Sequence, residues 1–394
     1  MNRKKTRQIN VGNIPIGGDA AVAIQSMTAG YTHDIDACVK EINKLSSAGA
    51  DIVRVAVPKR IDTEALPEIL SQVDVPIVAD VHFHYQRAIE AIQAGVHKIR
   101  LNPGNIDDIE QVNKVIDACK DADVPIRIGV NEGSIVERKD AKKRQEELAA
   151  FFADRRQGHL LAMMIAKVEE YLTIFENRDF HNICLSAKLM DARLVIEIYQ
   201  ELSERFDYPL HLGVTHAGPR ETGSIRSISA LGSLLSQGIG DTIRISYASD
   251  PIYEVDDAVE LLNCLGLRER VGAELIACPS CGRIQVDLFN LVTDVRKQLQ
   301  DEIEVPMKVA VMGCVVNGPG EAEGADVAVF AGDRRGIIYV QGERVANVHE
   351  DEILERLLLE CKIFQEQVRM GEKALGEKAV TINVPSITVE GEMK

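Results

Sequence analysis

The chain has 394 residues, of which 45% are hydrophobic, and it carries a formal charge of −16 with no tryptophan. This length exceeds one ordinary domain and suits a barrel of roughly 250 residues followed by a smaller module. The acidic charge argues against a nucleic-acid partner, which needs a basic surface and often stacking aromatic residues. No apolar stretch is long enough for a membrane span or a signal peptide, so the sequence predicts a cytoplasmic protein.

Short β-branched segments alternate with longer helical patterns from about residue 22 to residue 263. Continuous apolar strands separated by helices are typical of a parallel sheet covered on both faces, and eight such units indicate a closed (β/α)8 TIM-type barrel. An open doubly wound sheet is the alternative, but no predicted strand is followed by its G-x-G-x-x-G turn. The predicted strands are 23–26, 52–57, 77–81, 98–101, 126–130, 182–186, 210–214 and 242–245, with helices such as 35–48, 106–120 and 192–205 between them.

One connection in the predicted barrel is unusually long. A charged stretch at 132–147 precedes a more apolar helix at 159–177. Such an insertion forms either a lid over the site or a doubled outer helix, and the second is favoured.

The pattern changes after the barrel, which is assigned to residues 1–264. Residues 265–364 contain a cysteine pair, a helix at 286–299, strands near 307–312, 326–330 and 337–341, and a last helix at 351–364. This order predicts a separate, smaller α+β domain. Residues 365–394 have weak periodicity, which predicts a mobile tail or an arm packed on a neighbour.

Five predicted barrel strands carry a cation near their carboxyl ends, where barrel active sites lie. Like charges in a partly desolvated pocket repel one another unless an anion lies among them. A diphosphate suits planar guanidinium groups and an ammonium group because it offers several acceptor oxygens. The alternative is that each cation pairs with a neighbouring carboxylate such as Asp80. The five cations are Arg54, Arg100, Arg127, Lys188 and Arg244.

Polar and acidic residues share this rim. Asn102 begins a loop before a helix whose free N–H groups suit a phosphate oxygen. His82 and His84 have the spacing of a two-histidine metal site but lack further ligands in the sequence. His216 is either a proton donor at neutral pH or simply a rim histidine. The remaining members of the set are Asp80, Asn131, Thr215 and Ser246.

Three of the eight cysteines form a candidate metal site: the Cys278-Pro-Ser-Cys281 pair and Cys314. Three thiolates leave one coordination position for another ligand. A [4Fe–4S] cluster is favoured, with Glu321 from the same loop as a displaceable fourth ligand. A structural zinc site, for which His349 is the only nearby histidine, and a plain dithiol are the alternatives. The other cysteines are predicted to be small buried hydrophobic residues, namely Cys38, Cys119, Cys184, Cys264 and Cys361.

Four motifs together resemble the 4-hydroxy-3-methylbut-2-enyl diphosphate synthase family. They are I-R-L-N-P-G-N at 99–105, G-V-N-E-G-S at 129–134, C-P-S-C-G-R at 278–283 and G-C-V-V-N-G-P-G-E-A at 313–322. The resemblance extends in order over roughly residues 8–364. It implies an iron–sulfur enzyme that reductively opens 2-C-methyl-D-erythritol 2,4-cyclodiphosphate. Two electrons would come singly from reduced flavodoxin or ferredoxin, and water would be lost.

The same resemblance implies roles for individual residues. Cys278, Cys281, Cys314 and Glu321 would hold a [4Fe–4S] cluster, and Asp80 and Asn131 would lie near the carbon skeleton of the substrate. The family also forms head-to-tail homodimers in which the cluster domain of one chain covers the barrel of the other. The residues implied to bind the diphosphate are Arg54, Arg100, Arg127, Lys188, Arg244 and Ser246.

One position departs from the family pattern. The seventh strand ends in Gly-Val-Thr-Glu-Ala-Gly in that family, whereas this chain has His216 in place of the glutamate. His216 would therefore have to replace a carboxylate as an acid or hydrogen-bond donor. Two other functions compete with this assignment. One is a non-redox phosphate-binding barrel, aldolase-like or pterin-synthase-like, with a structural zinc module, and the other is an iron-sensing regulator that binds RNA or a protein partner.

Overall fold

A computed structural model describes residues 3–82, 84–102, 108–132, 149–150, 157–279, 281–284, 286–314, 322, 324–332 and 334–376. The chain forms two compact units, Met1–Arg268 and Glu269–Lys394. In the part of the chain that the structure describes, no helix is both long and apolar enough to cross a membrane.

The first unit contains an eight-stranded parallel sheet in the order β8-β7-β6-β5-β4-β3-β10-β9. A parallel bridge between Leu185 in β8 and Leu210, just before β9, brings the two ends of the sheet together. The predicted (β/α)8 barrel is therefore confirmed. Its strands are β3 (Ala23–Met27), β4 (Ile52–Ala56), β5 (Ile77–Asp80), β6 (Lys98–Leu101), β7 (Ile126–Asn131), β8 (Ile183–Lys188), β9 (His211–Leu212) and β10 (Thr242–Ile243).

A helix follows each barrel strand and buries its apolar side against the sheet. Several of these helices begin at an aspartate whose side chain accepts a backbone N–H of the first turn, as Asp34, Asp108, Asp191 and Asp250 do. The caps fix the turns at the carboxyl ends of the strands. The helices are α1 (Ile35–Ser47), α2 (Arg60–Leu70), α3 (Tyr85–Ala94), α4 (Ile109–Asp121), α5 (Gly158–Glu176), α6 (Ala192–Arg205), α7 (Arg220–Ser236) and α8 (Pro251–Cys264).

The sequence predicted either a lid or a doubled outer helix in the long connection. The residues that would distinguish the two, 133–148, lie outside the described residues. The described part of this connection ends in α5, whose side chains are largely buried. Among the described residues of this connection, α5 covers the sheet between β7 and β8.

An antiparallel hairpin at the amino terminus closes the bottom of the barrel, and the sequence did not predict it. It consists of β1 (Ile9–Val11) and β2 (Ile14–Ile16). Ile9, Val11 and Ile16 are buried in a cluster with side chains from the amino ends of four barrel strands. This cluster is called the floor here, and its barrel members are Ala23, Ile52, Val78 and Cys184.

The second unit is a five-stranded mixed sheet in the order β11-β12-β13-β14-β15. β11 to β13 are parallel, and β14 and β15 are added antiparallel. Two helices pack on one face of the sheet through a common apolar cluster. The elements are β11 (Glu274–Ala277), α9 (Leu288–Glu302), β12 (Lys308–Met312), β13 (Val327–Gly332), β14 (Arg335–Val340), β15 (Glu343–His349) and α10 (Ile353–Arg369).

Three features of this unit differ from the sequence prediction. β11 and β15 were missed because both are partly exposed and neither has a continuous apolar run. α10 continues five residues past the predicted end at residue 364. Gln365 explains the extension, because its buried side chain accepts the backbone N–H of Glu304 at 2.8 Å.

Candidate active site

The five predicted cations converge inside the carboxyl end of the barrel. Arg100 pairs in register with Arg127 on the neighbouring strand, and Arg54, Arg127 and Lys188 are each at most 7% exposed. Arg244 follows β10, and its side chain is 16% exposed. Inward positions alternate along each strand, so each strand contributes its cation to the same interior. This group is called the cation cluster here: Arg54, Arg100, Arg127, Lys188 and Arg244.

Two carboxylates lie within this cluster. Asp80 at the end of β5 accepts a hydrogen bond from Arg100 Nη1 at 3.1 Å, and its Oδ2 is 3.7 Å from Arg54 Nε. Burial alone would raise the pKa of Asp80, but Arg54, His82 and Arg100 lower it well below its usual range. Glu254 of α8 lies 3.9 Å from Arg244 Nη2. Five cations facing two carboxylates leave three positive charges in excess among these residues.

The donors of the cation cluster are poorly satisfied within the described residues. Arg54 directs Nε and Nη2 at Met27 Sδ, at 3.1 and 2.9 Å, and a thioether is a weak acceptor. Burial and the charge of Arg100 lower the pKa of Arg127 to about 10. Burial and four neighbouring arginines lower the pKa of Lys188 well below its usual value. The atoms without a hydrogen-bond partner in the described part of the chain include Arg100 Nε, Arg127 Nε and Nη1, Arg244 Nε and Ser246 Oγ.

An anion with several acceptor oxygens would satisfy these donors. It would accept hydrogen bonds from the unsatisfied N–H groups and offset the repulsion between the cations. The arrangement can therefore bind a diphosphate, for which the excess of three charges is well suited.

Two inward-facing glycines make room for the cation cluster. A Cβ on Gly213 would lie 2.6 Å from Lys188 Nζ, and one on Gly129 would lie 3.2 Å from Arg100 Nε. Contacts below 3 Å are not tolerated, so any side chain at position 213 would displace the ammonium group. Sequence reasoning missed both glycines because their role depends on side chains of neighbouring strands.

The other predicted rim residues occupy different environments. Asn131 pairs in register with Lys188, and buried Asn102 accepts a hydrogen bond from Tyr171 Oη at 3.4 Å. His82 Nε2 lies 3.6 Å from Asp80 Oδ1, so this histidine belongs to the site. His216 is exposed and adopts φ +53°, a left-handed conformation that is uncommon for a non-glycine residue.

The cysteines of the second unit lie at the carboxyl ends of adjacent parallel strands. Cys278 follows β11 and Cys314 lies just after β12, and Gly313 N donates to Cys278 Sγ at 3.2 Å. The Arg283 guanidinium donates a hydrogen bond to Cys314, and this bond, together with the charges of Cys281 and Cys314, raises the pKa of Arg283. Arg283 therefore lies beside Cys281 and Cys314, and the three cysteines of the predicted set lie in one region of the second unit. Glu321 lies outside the described residues.

Among the described residues, no three His, Cys, Asp or Glu side chains are grouped to hold a metal ion. This applies to His82 and His84 as well. A [4Fe–4S] cluster differs from a single ion because each thiolate bonds a different iron. The donor set fits such a cluster: three cysteines from one loop region, with a backbone N–H directed at one sulfur, a contact that tunes iron–sulfur potentials.

Family models match nearly the whole chain. The GcpE TIM-barrel domain matches residues 6–259, and the GcpE protein C-terminal domain matches residues 274–363. The chain belongs to the GcpE family. The division between the two matched domains falls in the same region as the boundary between the two compact units.

Relatives of this GcpE-family chain have sequence identities of 43–46% to it over most of its length. A protein of Symbiobacterium thermophilum is 46% identical over 91% of this chain and 93% of its own length. Proteins of Corynebacterium efficiens and Bacillus licheniformis are 44% and 43% identical, each over 96% of this chain and at least 97% of their own length. All three are named 4-hydroxy-3-methylbut-2-en-1-yl diphosphate synthase (flavodoxin). The structure of Xanthomonas albilineans dihydropteroate synthase is similar over 66% of this chain and 98% of its own, with a TM-score of 0.45 and 14% identity.

One cysteine prediction was wrong. Cys38, Cys119, Cys184 and Cys361 are buried, but Cys264 is exposed. It is the last residue of α8, where the helix leaves the core. Sequence reasoning also missed Glu254 and Met27, which contact Arg244 and Arg54. Glu254 lies in a helix 10 residues after Arg244, and nothing in the surrounding sequence indicates that the two side chains are close.

The glycine at position 213 provides a test of the cation cluster. We expect Gly213→Ala to weaken binding of inorganic pyrophosphate by about tenfold, because the new methyl group displaces Lys188 Nζ from a charge-assisted contact. Isothermal titration calorimetry of the purified protein measures the effect. The control is Gly232→Ala in α7, where the added Cβ would meet Leu261 at an ordinary 3.6 Å. Equal affinities for all three proteins would mean that Lys188 does not bind the anion.

Proposed function

We propose that this chain reductively opens 2-C-methyl-D-erythritol 2,4-cyclodiphosphate to 4-hydroxy-3-methylbut-2-enyl diphosphate, with flavodoxin as the electron donor. In the balanced reaction, two electrons and one proton enter, a C–O bond to phosphate and a C–O bond to hydroxyl break, and water leaves. The observation that supports this function most directly is the buried cation cluster with its unsatisfied donors. The names of the relatives from Symbiobacterium thermophilum and Corynebacterium efficiens support the same reaction.

The cation cluster would act on the phosphate that is released from carbon. A cyclic diphosphate has no terminal phosphate, so ring opening creates an oxygen with additional negative charge. Fixed cations in a buried site stabilise such developing charge without reorganisation. Arg54, Arg100, Arg127, Lys188 and Arg244 would therefore bind the opened diphosphate more tightly than the ring, with Asn102 and Ser246 as neutral partners.

Cys278, Cys281 and Cys314, with Glu321, would hold the [4Fe–4S] cluster. When bound, the cluster supplies single electrons at low potential and a Lewis-acidic iron. Gly313 N donates to Cys278 Sγ, and Arg283 lies beside Cys281 and Cys314. Both contacts would stabilise negative charge on the sulfurs.

Four residues would act near the carbon skeleton and its departing hydroxyl group: Asp80, Asn131, His216 and, as the displaceable ligand of the cluster, Glu321. Asp80 is held ionised by the cations around it, so it would orient hydroxyl groups as an acceptor. The exposed ring of His216 at the rim would donate a proton to the departing hydroxyl oxygen.

The direct test is an anaerobic assay with chemically reduced flavodoxin. We expect the cyclic diphosphate to be converted to the open-chain diphosphate, detected by its terminal phosphate resonance in ³¹P NMR. The protein should be brown and contain about four irons per chain. A colourless protein with stoichiometric zinc that leaves the cyclic diphosphate unchanged would favour the non-redox barrel with a zinc module.

We further propose that the protein works as a homodimer in the cytoplasm. Large apolar side chains are exposed around the carboxyl end of the barrel, including Tyr31, Met190 and Ile225, at 77%, 51% and 67% exposure. Tyr31 and Met190 lie in loops after β3 and β8, and Ile225 lies in the second turn of α7. Several large apolar side chains exposed on loops at one end of a barrel favour a surface that another protein covers.

If one chain supplies the cluster to a site on another, two inactive variants should complement each other. We expect a mixture of Cys281→Ser and Lys188→Ala proteins to regain up to about a quarter of the wild-type activity after subunit exchange, because half of the chains enter mixed dimers, each with one intact site. Exchange is monitored with differently tagged chains. Absence of activity in mixed dimers isolated by both tags would contradict a site shared between chains.

A further inference from the structure

A second polar layer lies inside the barrel between the cation cluster and the floor. It is called the lower polar layer here and consists of Gln25, Lys98, His211 and Thr242, all at most 1% exposed. Lys98 precedes Arg100 by two residues, and Gln25 follows the floor residue Ala23 by two. His211 pairs in register with Thr242, which in turn pairs with Ala23. Because side chains alternate along a strand, all four point to the interior of the barrel.

The lower polar layer contains buried atoms that nothing in the described part of the chain satisfies. Lys98 Nζ, His211 Nε2 and both amide atoms of Gln25 have no hydrogen-bond partner there. Thr242 Oγ1 lies 3.5 Å from His211 Nδ1. When Thr242 donates to Nδ1, the neutral ring carries its hydrogen on Nε2. The layer then presents three kinds of donor to the interior of the barrel: an ammonium group, an imidazole N–H and an amide NH2.

The charge of this layer is also uncompensated. Burial is the main cause that lowers the pKa of Lys98 to about 8; Arg127 and Arg54 act in the same direction, and Cys184 acts against them. Lys98 is therefore still largely protonated at pH 7. Burial raises the pKa of Cys184 to about 11, so this residue is a neutral thiol at that pH. Water completes the hydrogen bonds of buried polar groups, but it does not neutralise a buried charge.

We propose that the lower polar layer binds a small monovalent inorganic anion, of the size and charge of chloride, between Lys98, His211 and Gln25. The anion is separate from the diphosphate, which binds to the cation cluster above it, and the proposal does not depend on the reaction assigned to the protein. The bound anion offsets the charge of Lys98, which otherwise adds to the repulsion among the buried cations. It also couples this layer to the diphosphate site, because the charge of Arg127 in the cation cluster acts on Lys98.

Crystals of the full-length protein grown in bromide test the site directly. We expect one anomalous bromide peak within hydrogen-bonding distance of Lys98 Nζ, and we expect it to remain when inorganic pyrophosphate occupies the cation cluster. Absence of a peak in the barrel interior would overturn the proposal. So would loss of the peak on adding pyrophosphate, because the anion would then belong to the diphosphate site.

Thermal unfolding gives an independent measurement. At a chloride concentration ten times its dissociation constant, we expect the melting temperature of the barrel to be roughly 3–6 °C higher than in the same concentration of gluconate. Lys98→Met should abolish this difference and the bromide peak. The control is Lys44→Met, which removes an exposed lysine paired with Asp250 and should keep the full chloride effect. Equal responses of Lys98→Met and wild type to chloride would contradict the assignment, and if Lys98→Met does not fold, the bromide crystals of wild type still decide it.

Discussion

Replacing Cys314 by serine is expected to remove most of the iron and to abolish reduction of the cyclic diphosphate. Cys314 follows β12 and lies in the loop region that also contains Cys278 and Arg283. A hydroxyl group is a far weaker ligand for iron than a thiolate, so two cysteines would remain for a cluster that needs three protein sulfurs. We expect iron to fall from about four to fewer than one per chain, and turnover to fall by at least a hundredfold.

The loss of iron and turnover in Cys314→Ser should result from loss of the cluster and not from unfolding. Iron and acid-labile sulfide are assayed after anaerobic reconstitution, and circular dichroism reports whether the second unit keeps its fold. Cys264→Ser is the matched control, because Cys264 is exposed at the end of α8 in the barrel. It should keep iron and turnover. A Cys314→Ser protein that retained four irons and full activity would show that Cys314 is not a ligand.

Arg127→Leu is expected to weaken binding of the cyclic diphosphate by between about tenfold and 150-fold, because a charge-assisted hydrogen bond in a buried site contributes about 1.5–3 kcal/mol. Arg127 is 2% exposed, and its Nε and Nη1 have no partner in the described residues. Without a ligand, the same change removes a buried cation next to Arg100. We therefore expect the melting temperature of the free protein to stay the same or rise.

The opposite signs of these two effects make the experiment informative. Affinity is measured by calorimetry with the cyclic diphosphate, and stability is measured by differential scanning in its absence. Arg178→Leu serves as the control, since Arg178 is a half-buried arginine outside the cation cluster that bonds to Asp117. The affinity of this variant should equal that of wild type. If Arg127→Leu bound the cyclic diphosphate normally, the substrate would have to bind elsewhere.

The barrel was predictable because its strands and helices have different periods in the sequence. Arg54, Arg100 and Arg127 were recognisable as a set because each occupies the same place in its own repeat. Their convergence needed no knowledge of contacts, since the carboxyl ends of parallel barrel strands meet at one mouth. The three cysteines were recognisable as a candidate metal site from their spacing together with the loop that follows Cys314, and their role as cluster ligands stays a prediction.

Other features depend on contacts that a sequence does not display. Lys98 and Gln25 lie in runs that read as apolar strands, and only the closed barrel shows that both face its interior. The requirement for glycine at position 213 is visible only in the structure, because Lys188 Nζ occupies the space that a side chain would fill. Glu254 reaches Arg244 from a helix, and no local pattern separates it from the solvent-facing acidic residues nearby.

The hairpin that closes the floor has a consequence for how the barrel folds. Its partners come from β3, β4, β5 and β8, and Arg3 forms an ion pair with Asp241, 238 residues away in the chain. Contacts between residues so distant in sequence form slowly, because a large part of the chain must be ordered before these contacts stabilise the fold. The hairpin is synthesised before every strand that it touches, yet we expect it to dock after them. Until it does, the apolar side chains of Ile52 and Val78 remain open to water, so this end of the barrel is where a folding intermediate would first aggregate.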